Sequence, residues 1–247
     1  MMHTLIFLHG LLGSNQDWQK VIEKLPHFHC ISLDLPLHAQ SQQYHVENFE
    51  QTCRYLATQI QQHIGNSPYF LVGYSLGGRL ALYYSFQFQQ AKGNLQGIIL
   101  EGANLGLSRE ADRLTRWQND ELWAQRFAQE PIQEVLNDWY QQPVFAHLTD
   151  SERMALIEKR AANQGTAIAQ MLRATSLAKQ PDFRSKVRIT RLPIYYLCGE
   201  KDQKFRTIAE QDRLNLRLIP QAGHNAHLEN PLAFAKAIQA IFNITPA

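Results

Sequence analysis

Cysteine is scarce in this 247-residue chain: Cys30, Cys53 and Cys198 are an odd number and lack the paired spacing of a metal site. That excludes a disulfide framework and leaves a reduced set of small core residues, as in a cytoplasmic protein. Charge of one sign is also missing. Lys and Arg number 24 against 22 Asp and Glu, a net of +2, with the basic residues scattered, which argues against a nucleic-acid surface. An anionic partner must therefore be recognised locally, by a few placed side chains. No apolar run approaches the length of a membrane span. The run from Leu5 to Leu8 is too short for the apolar core of a signal peptide and has neither a basic lead-in nor a cleavage site. The expectation is a soluble, cytoplasmic protein that binds neither nucleic acid nor membrane. Low-complexity tracts and internal repeats are absent too. What remains is globular composition, 45% hydrophobic and 19% charged, over a length suited to one domain with a small insertion.

Short apolar runs bounded by Gly, Pro or Asp alternate with segments of helical period. Leu5 to Leu8, Cys30 to Leu33, Tyr69 to Tyr74, Gly97 to Leu100, Ile194 to Cys198 and Leu214 to Ile219 read as buried strands. Amphipathic stretches lie at 47–64, 78–90 and 203–213, with a closing helix at 231–243 whose first turn suits Pro231. Strands alternating with helices predict an α/β fold with a mostly parallel sheet covered on both faces. The alternation fails between about 104 and 182, where helical periodicity runs with Trp117, Trp123 and Trp139 but no convincing strand. This predicts a sheet domain formed by 1–103 and 183–247, with a helical cap inserted at 104–182.

The segment Phe70-Leu71-Val72-Gly73-Tyr74-Ser75-Leu76-Gly77-Gly78-Arg79 is an apolar strand, a Gly-x-Ser-x-Gly turn and the start of a helix. A serine on a sharp strand-to-helix turn has a strained backbone, and glycine two residues to either side lets neighbouring chain come close. The turn lifts the hydroxyl above the sheet and aims the Leu76 N–H and the helix N-terminus at a developing oxyanion. A bare Gly-x-Ser-x-Gly is weak; between a buried strand and a helix it is a good signal. The hydroxyl needs an imidazole partner at neutral pH. Of ten histidines, His224 in Gly223-His224-Asn225 follows the last strand and precedes the closing helix, at the carboxyl edge of the sheet. His9 more naturally braces the loop Gly10-Leu11-Leu12-Gly13, and His38 and His227 lie at the surface or pack locally. Asp202, after the preceding strand, is the carboxylate that would fix the imidazole tautomer. Glu200 is a competitor with less freedom to swing, and Asp34 reads as a loop brace. Serine, aspartate, histidine is the order of the α/β-hydrolase fold. The second oxyanion donor is expected from the loop after the first strand, at Leu11.

With these residues located, the chain resembles the 2-succinyl-6-hydroxy-2,4-cyclohexadiene-1-carboxylate (SHCHC) synthases, menaquinone-pathway lyases of the α/β-hydrolase superfamily. The resemblance covers nearly the whole chain. Its motifs are Val72 to Arg79, Trp123-Ala124-Gln125-Arg126-Phe127, Asp138-Trp139-Tyr140-Gln141-Gln142-Pro143-Val144-Phe145, Ala174-Thr175-Ser176-Leu177-Ala178, Tyr195 to Glu200, and Ala222-Gly223-His224-Asn225-Ala226-His227. Matches in the cap segment carry most weight, since caps diverge most. One departure is the loop Asp34-Leu35-Pro36-Leu37-His38-Ala39-Gln40-Ser41, with leucine and alanine where relatives usually have two glycines.

The resemblance implies elimination of pyruvate from a cyclohexene bearing three carboxylates, a small-molecule partner, with neither metal nor organic cofactor. It implies that Arg79, Arg116 and Arg160 bind the carboxylates, as planar, always-charged donors suit them. Tyr74 and Trp139 would line the pocket. A lone cap arginine is more often a solvated charge, so Arg116 and Arg160 rest on the resemblance alone. Arg79, one helical turn past Ser75, has support of its own: a hydrolase of neutral esters has no use for a cation beside its nucleophile. In this reading Ser75 acts as a base. Two others stand beside it: a serine hydrolase in which Ser75 is the nucleophile, and a binding protein that keeps the fold without the chemistry. Sequence leaves the oligomeric state open, and a monomer is compatible with it.

Overall fold

The computed structural model describes residues 2–90 and 92–244. Six strands form one parallel sheet: β1 His3–Leu8, β2 Phe28–Leu33, β3 Pro68–Tyr74, β4 Asn94–Glu101, β5 Ile194–Gly199 and β6 Asn215–Ile219, in the order β2-β1-β3-β4-β5-β6. Every strand expected from the apolar runs is present. The helices in the amino-terminal half are α1 Gln19–Ile22, α2 Phe49–Ile64 and α3 Leu76–Phe86. Four more, α4 Glu110–Gln129, α5 Ile132–Trp139, α6 Asp150–Arg160 and α7 Gly165–Ala174, precede α8 Arg184–Ile189. The chain then adds α9 Gln203–Gln211, α10 Ala226–Glu229 and α11 Pro231–Ile241. Between β4 and β5 the described residues form helices and no strand.

Period-two alternation explains why helices cover both faces of the sheet. Along β1, Ile6 and Leu8 join the apolar cluster under α2 and α3, whereas Leu5 and Phe7 face the opposite cluster with α1 and α11. Ile98 and Leu100 of β4 share the first face and Ile99 the second; Tyr196 and Leu197 divide β5 in the same way. A third cluster, including Phe127, Leu136, Tyr140, Ile157 and Ile168, lies among the helices between β4 and β5 and takes in Leu12 from the loop after β1.

Strand order reverses direction between β1 and β3. The loops after these two strands therefore splay apart at their carboxyl ends and leave a crevice between them. Gly10 to Gly13 follow one strand and Ser75 the other. The loop flagged as a departure has its leucine and alanine, Leu37 and Ala39, at φ of 64° and 43°, in the left-handed region that glycine adopts freely. The three cysteines are free, Cys53 and Cys198 buried and Cys30 half-buried. Among the described residues no helix is long and apolar enough to cross a membrane.

Candidate active site

Ser75 sits between β3 and α3 with φ 49° and ψ −106°, a strained conformation for a residue with a side chain. The fold holds it there from both sides: its N–H donates to Glu101 O at 2.8 Å, and its carbonyl accepts from Arg79 N at 3.0 Å. Gly77 permits the turn, since a Cβ there would collide with the backbone carbonyls of Leu8 and His9 at the end of β1. Leu76 begins α3, so its N–H has no partner within the helix. Neither that N–H nor that of Leu11 donates to a protein acceptor among the described residues. Both residues line the cavity at Ser75.

His224 lies on the loop after β6, buried, with Nδ1 2.7 Å from Asp202 Oδ2. The other oxygen of Asp202 caps α9 by accepting from Phe205 N at 3.3 Å. The carboxylate is thereby fixed at both oxygens, and the Phe205 ring stacks on the imidazole at 4.8 Å. Ser75 and His224 line one cavity, though Ser75 Oγ makes no hydrogen bond to the imidazole in this conformation. Glu229 grips the loop beneath His224. Its carboxylate accepts from Gly223 N at 2.6 Å and Asn225 N at 3.1 Å, the two neighbours of the imidazole residue, and meets His147 Nε2 at 2.9 Å.

The cavity has two lobes that meet at Ser75. One is walled by Arg79, Arg116 and Asp120; the other takes in Tyr74, Tyr140, Arg160 and His224, and Trp139 reaches both. Arg79 donates from Nη1 to Thr175 O at 2.6 Å and has no carboxylate partner among the described residues. Burial and the nearby Arg116 push its pKa down to about 9, with Asp120 opposing, so it is still a cation at neutral pH. Arg116 donates from Nε to Asp120 Oδ1 at 2.8 Å, and Ser176 Oγ secures the other oxygen at 2.7 Å. Arg160 is committed further: both terminal nitrogens reach Asp17, at 2.9 and 2.8 Å, while its buried Nε has no partner. Tyr74 packs against His224 and donates its hydroxyl to Asn225 Oδ1.

The remaining candidates are placed as braces. His9 accepts from Leu35 N at 3.0 Å and donates to Gly10 O at 2.7 Å; Asp34 accepts from Asn15 N at 2.7 Å. His38 and His227 both pack locally and are buried: His38 accepts from Leu12 N at 3.2 Å, and His227 Nδ1 meets Glu101 at 2.9 Å. Glu200 accepts from Gln221 N, away from the imidazole. Sequence reasoning missed Asp120, Asp17, Glu229 and Lys204, a cation lining both lobes. Asp120 was findable from its i,i+4 spacing to Arg116 on one helix. Lys204 carried a signal too: it stands two residues after Asp202, in the first turn of the helix that Asp202 caps. Asp17 carried only the local sign of a helix cap, accepting from Ser14 N at 3.2 Å in a Ser-x-x-Asp box, while its arginine and lysine partners are distant. Glu229 left no local signal, because its partners are backbone amides and a distant histidine.

Residues 3–231 match the model of the alpha/beta hydrolase fold family. A Haemophilus influenzae protein that carries the name of a 2-succinyl-6-hydroxy-2,4-cyclohexadiene-1-carboxylate synthase is 59% identical over 238 residues, 96% of each chain. A Serratia proteamaculans synthase of the same name is 44% identical over 235 residues, 95% of this chain and 91% of its own. Among solved structures, MenH from S. aureus superimposes with a TM-score of 0.88 at 28% identity, over 98% of this chain and 93% of that one.

Proposed function

The chain belongs to the alpha/beta hydrolase fold family and, within it, to the 2-succinyl-6-hydroxy-2,4-cyclohexadiene-1-carboxylate synthases, and from that premise we propose how its site performs their reaction. The substrate is 2-succinyl-5-enolpyruvyl-6-hydroxy-3-cyclohexene-1-carboxylate. His224, oriented by Asp202, makes the Ser75 hydroxyl basic enough to remove the proton α to the succinyl ketone. The enolate oxygen develops opposite the Leu11 and Leu76 N–H groups. The electron pair then collapses through the ring double bond, and the bond to the enolpyruvyl oxygen breaks. The departing enol becomes pyruvate. General-base assistance of this kind supplies roughly 10²–10⁴-fold, and oriented donors at the oxyanion supply much of the rest.

The observation that carries this reading is Arg79. A guanidinium without a carboxylate partner, one turn from the serine and under desolvation, is costly unless an anionic substrate offsets it. Arg116 and Arg160 contribute further carboxylate contacts, Asp120 and Asp17 holding them in place, and Tyr74 and Trp139 shape the pocket. The helices of 104–182 act as the cap over the sheet domain of 1–103 and 183–247. Free thiols at all three cysteines fit a cytoplasmic location.

The test supplies the enolpyruvyl precursor to the purified protein and follows pyruvate release. Release that is lost in Ser75→Ala and reduced at least about 100-fold in Arg79→Ala is expected. A folded protein that releases none, or that accumulates an acyl group on Ser75 during turnover, overturns the lyase reading in favour of a nucleophilic serine.

A further inference from the structure

The two lobes of the cavity are lined by four cations, Arg79, Arg116, Arg160 and Lys204, against two carboxylates. Those carboxylates are spoken for: Asp120 holds Arg116, and Asp17 holds Arg160 together with Lys159 outside the cavity. Lys204 forms no ion pair among the described residues. Asp202 is its nearest neighbour in sequence among the acids, but both oxygens of Asp202 are engaged, one by His224 and one by Phe205 N.

The protein alone does little to favour an ammonium in this place. Lys204 stands in the first turn of α9, where the helix dipole presents its positive end and disfavours a cation. Surrounding protein lowers its pKa, with Arg116 adding repulsion and Asp202 opposing. Among the described residues, the one attraction on its ammonium besides Asp202 is modest, a cation–π contact 5.3 Å from the centre of the Phe205 ring, the same ring that stacks on His224. Lys204 is exposed where it borders the cavity, so a small anion can reach it.

We propose that Lys204 is a carboxylate-binding residue of this site, holding one of the three carboxylates of the substrate in the lobe that it lines together with Arg79. This rests on the tricarboxylate reading given above. Position supports it: Lys204, like Arg116, borders both lobes where they meet beside Ser75, so its carboxylate belongs to the part of the substrate near the reacting carbon. A compact ammonium on a flexible stem can follow that carboxylate as bonds rearrange, where a planar guanidinium fixes one orientation.

The experiment compares Lys204→Met and Lys204→Arg with the unaltered enzyme. In a Ser75→Ala background, where the precursor binds without turnover, Lys204→Met should weaken its Kd by about 10- to 100-fold, and Lys204→Arg should restore it to within about 3-fold. The unliganded Lys204→Met protein should melt no lower than its parent, because it loses an unpaired charge. Unchanged precursor affinity in Lys204→Met overturns the proposal, as does a lowered melting temperature with affinity lost equally in Lys204→Arg. Should the unaltered enzyme release no pyruvate, the lyase reading fails instead. The subsite is then judged by calorimetric binding of propane-1,2,3-tricarboxylate: weaker binding in Lys204→Met sustains it, and equal binding overturns it.

Discussion

Left-handed backbone at residues other than glycine marks where this chain bears local strain. Ser75 is held at φ 49° by a strand on one side and a helix on the other. Ala39 at φ 43° is different, because it is exposed and its side chain buys no burial. Ala39→Gly should therefore stabilise the protein by about 0.5–1 kcal/mol, read as a rise of about 1–4 °C in melting temperature. Leu37, at φ 64°, is buried in the main core, and Leu37→Gly should lower the melting temperature, since lost burial outweighs relieved strain. At Gly102 the argument concerns chemistry. A Cβ there would lie 2.8 Å from Cε1 of His224, on a backbone of φ 53°. Gly102→Ala should leave the circular dichroism spectrum intact while displacing the imidazole and lowering kcat by about 100-fold. A variant with undiminished kcat would show that His224 can shift without consequence. Residues of this kind divide by legibility. Ser75 was readable because its turn needs glycines at fixed offsets. The effect of Gly102 was not, because it depends on a ring delivered from a loop more than a hundred residues later.

Two loops, one after β1 and one after β2, are joined by buried histidines in their neutral form. His9 accepts from Leu35 N, and His38 accepts from Leu12 N, next to the proposed oxyanion donor Leu11. Burial pushes their pKa values down to about 4 and about 3, with His9 repelling His38 and backbone hydrogen bonds opposing. An unfolded chain protonates both near 6.5, so it binds more protons than the native state between that pH and the depressed values. The stability these residues confer is complete above about pH 6.5 and is lost as pH falls toward 4 for His9 and 3 for His38. Each contributes a slope of up to about 1.4 kcal/mol per pH unit in that window. Urea unfolding of His38→Gln between pH 7.5 and 4.5 should give a pH dependence shallower than the parent by about that amount. Parallel curves would show that His38 is not held neutral. At this scale the strands were the most legible part, because each is a short apolar run closed by a turn residue. The helix α3 ends at Phe86 rather than near 90, since apolar periodicity continues through Phe88, which is buried beyond the helix. The loop braces were invisible because a buried histidine and a surface one have the same local sequence.

Across the whole molecule, the helices between β4 and β5 are tied to the sheet by a small number of polar contacts of long range. Asp17, beside the loop after β1, accepts both terminal nitrogens of Arg160 and the ammonium of Lys159 from α6. Asn163 donates to Leu12 O, Gln170 to Val46 O, and His147 meets Glu229. Burial alone would raise the Asp17 pKa, but Arg160 and Lys159 outweigh it and hold the carboxyl well below the usual carboxylate range. These pairings join residues separated by as many as 151 positions, which no period or spacing in the sequence encodes. That is why the resemblance, and not the residue pattern, pointed to Arg160, and why its carboxylate went unnoticed. Asp17→Ala removes the anion and leaves Arg160 buried with an unpaired charge, at a cost of about 3–5 kcal/mol. Most of that loss should appear as loosened docking of α6 against the loop after β1. Hydrogen exchange should then speed up in α6 and the loop after β1 while β3 and β4 stay protected. Precursor affinity should fall in parallel, because the same loop carries Leu11. A double variant tests the attribution: Asp17→Ala with Arg160→Met removes both charges and should recover part of the lost stability. If it recovers none, the pair is not what fastens α6 to the sheet.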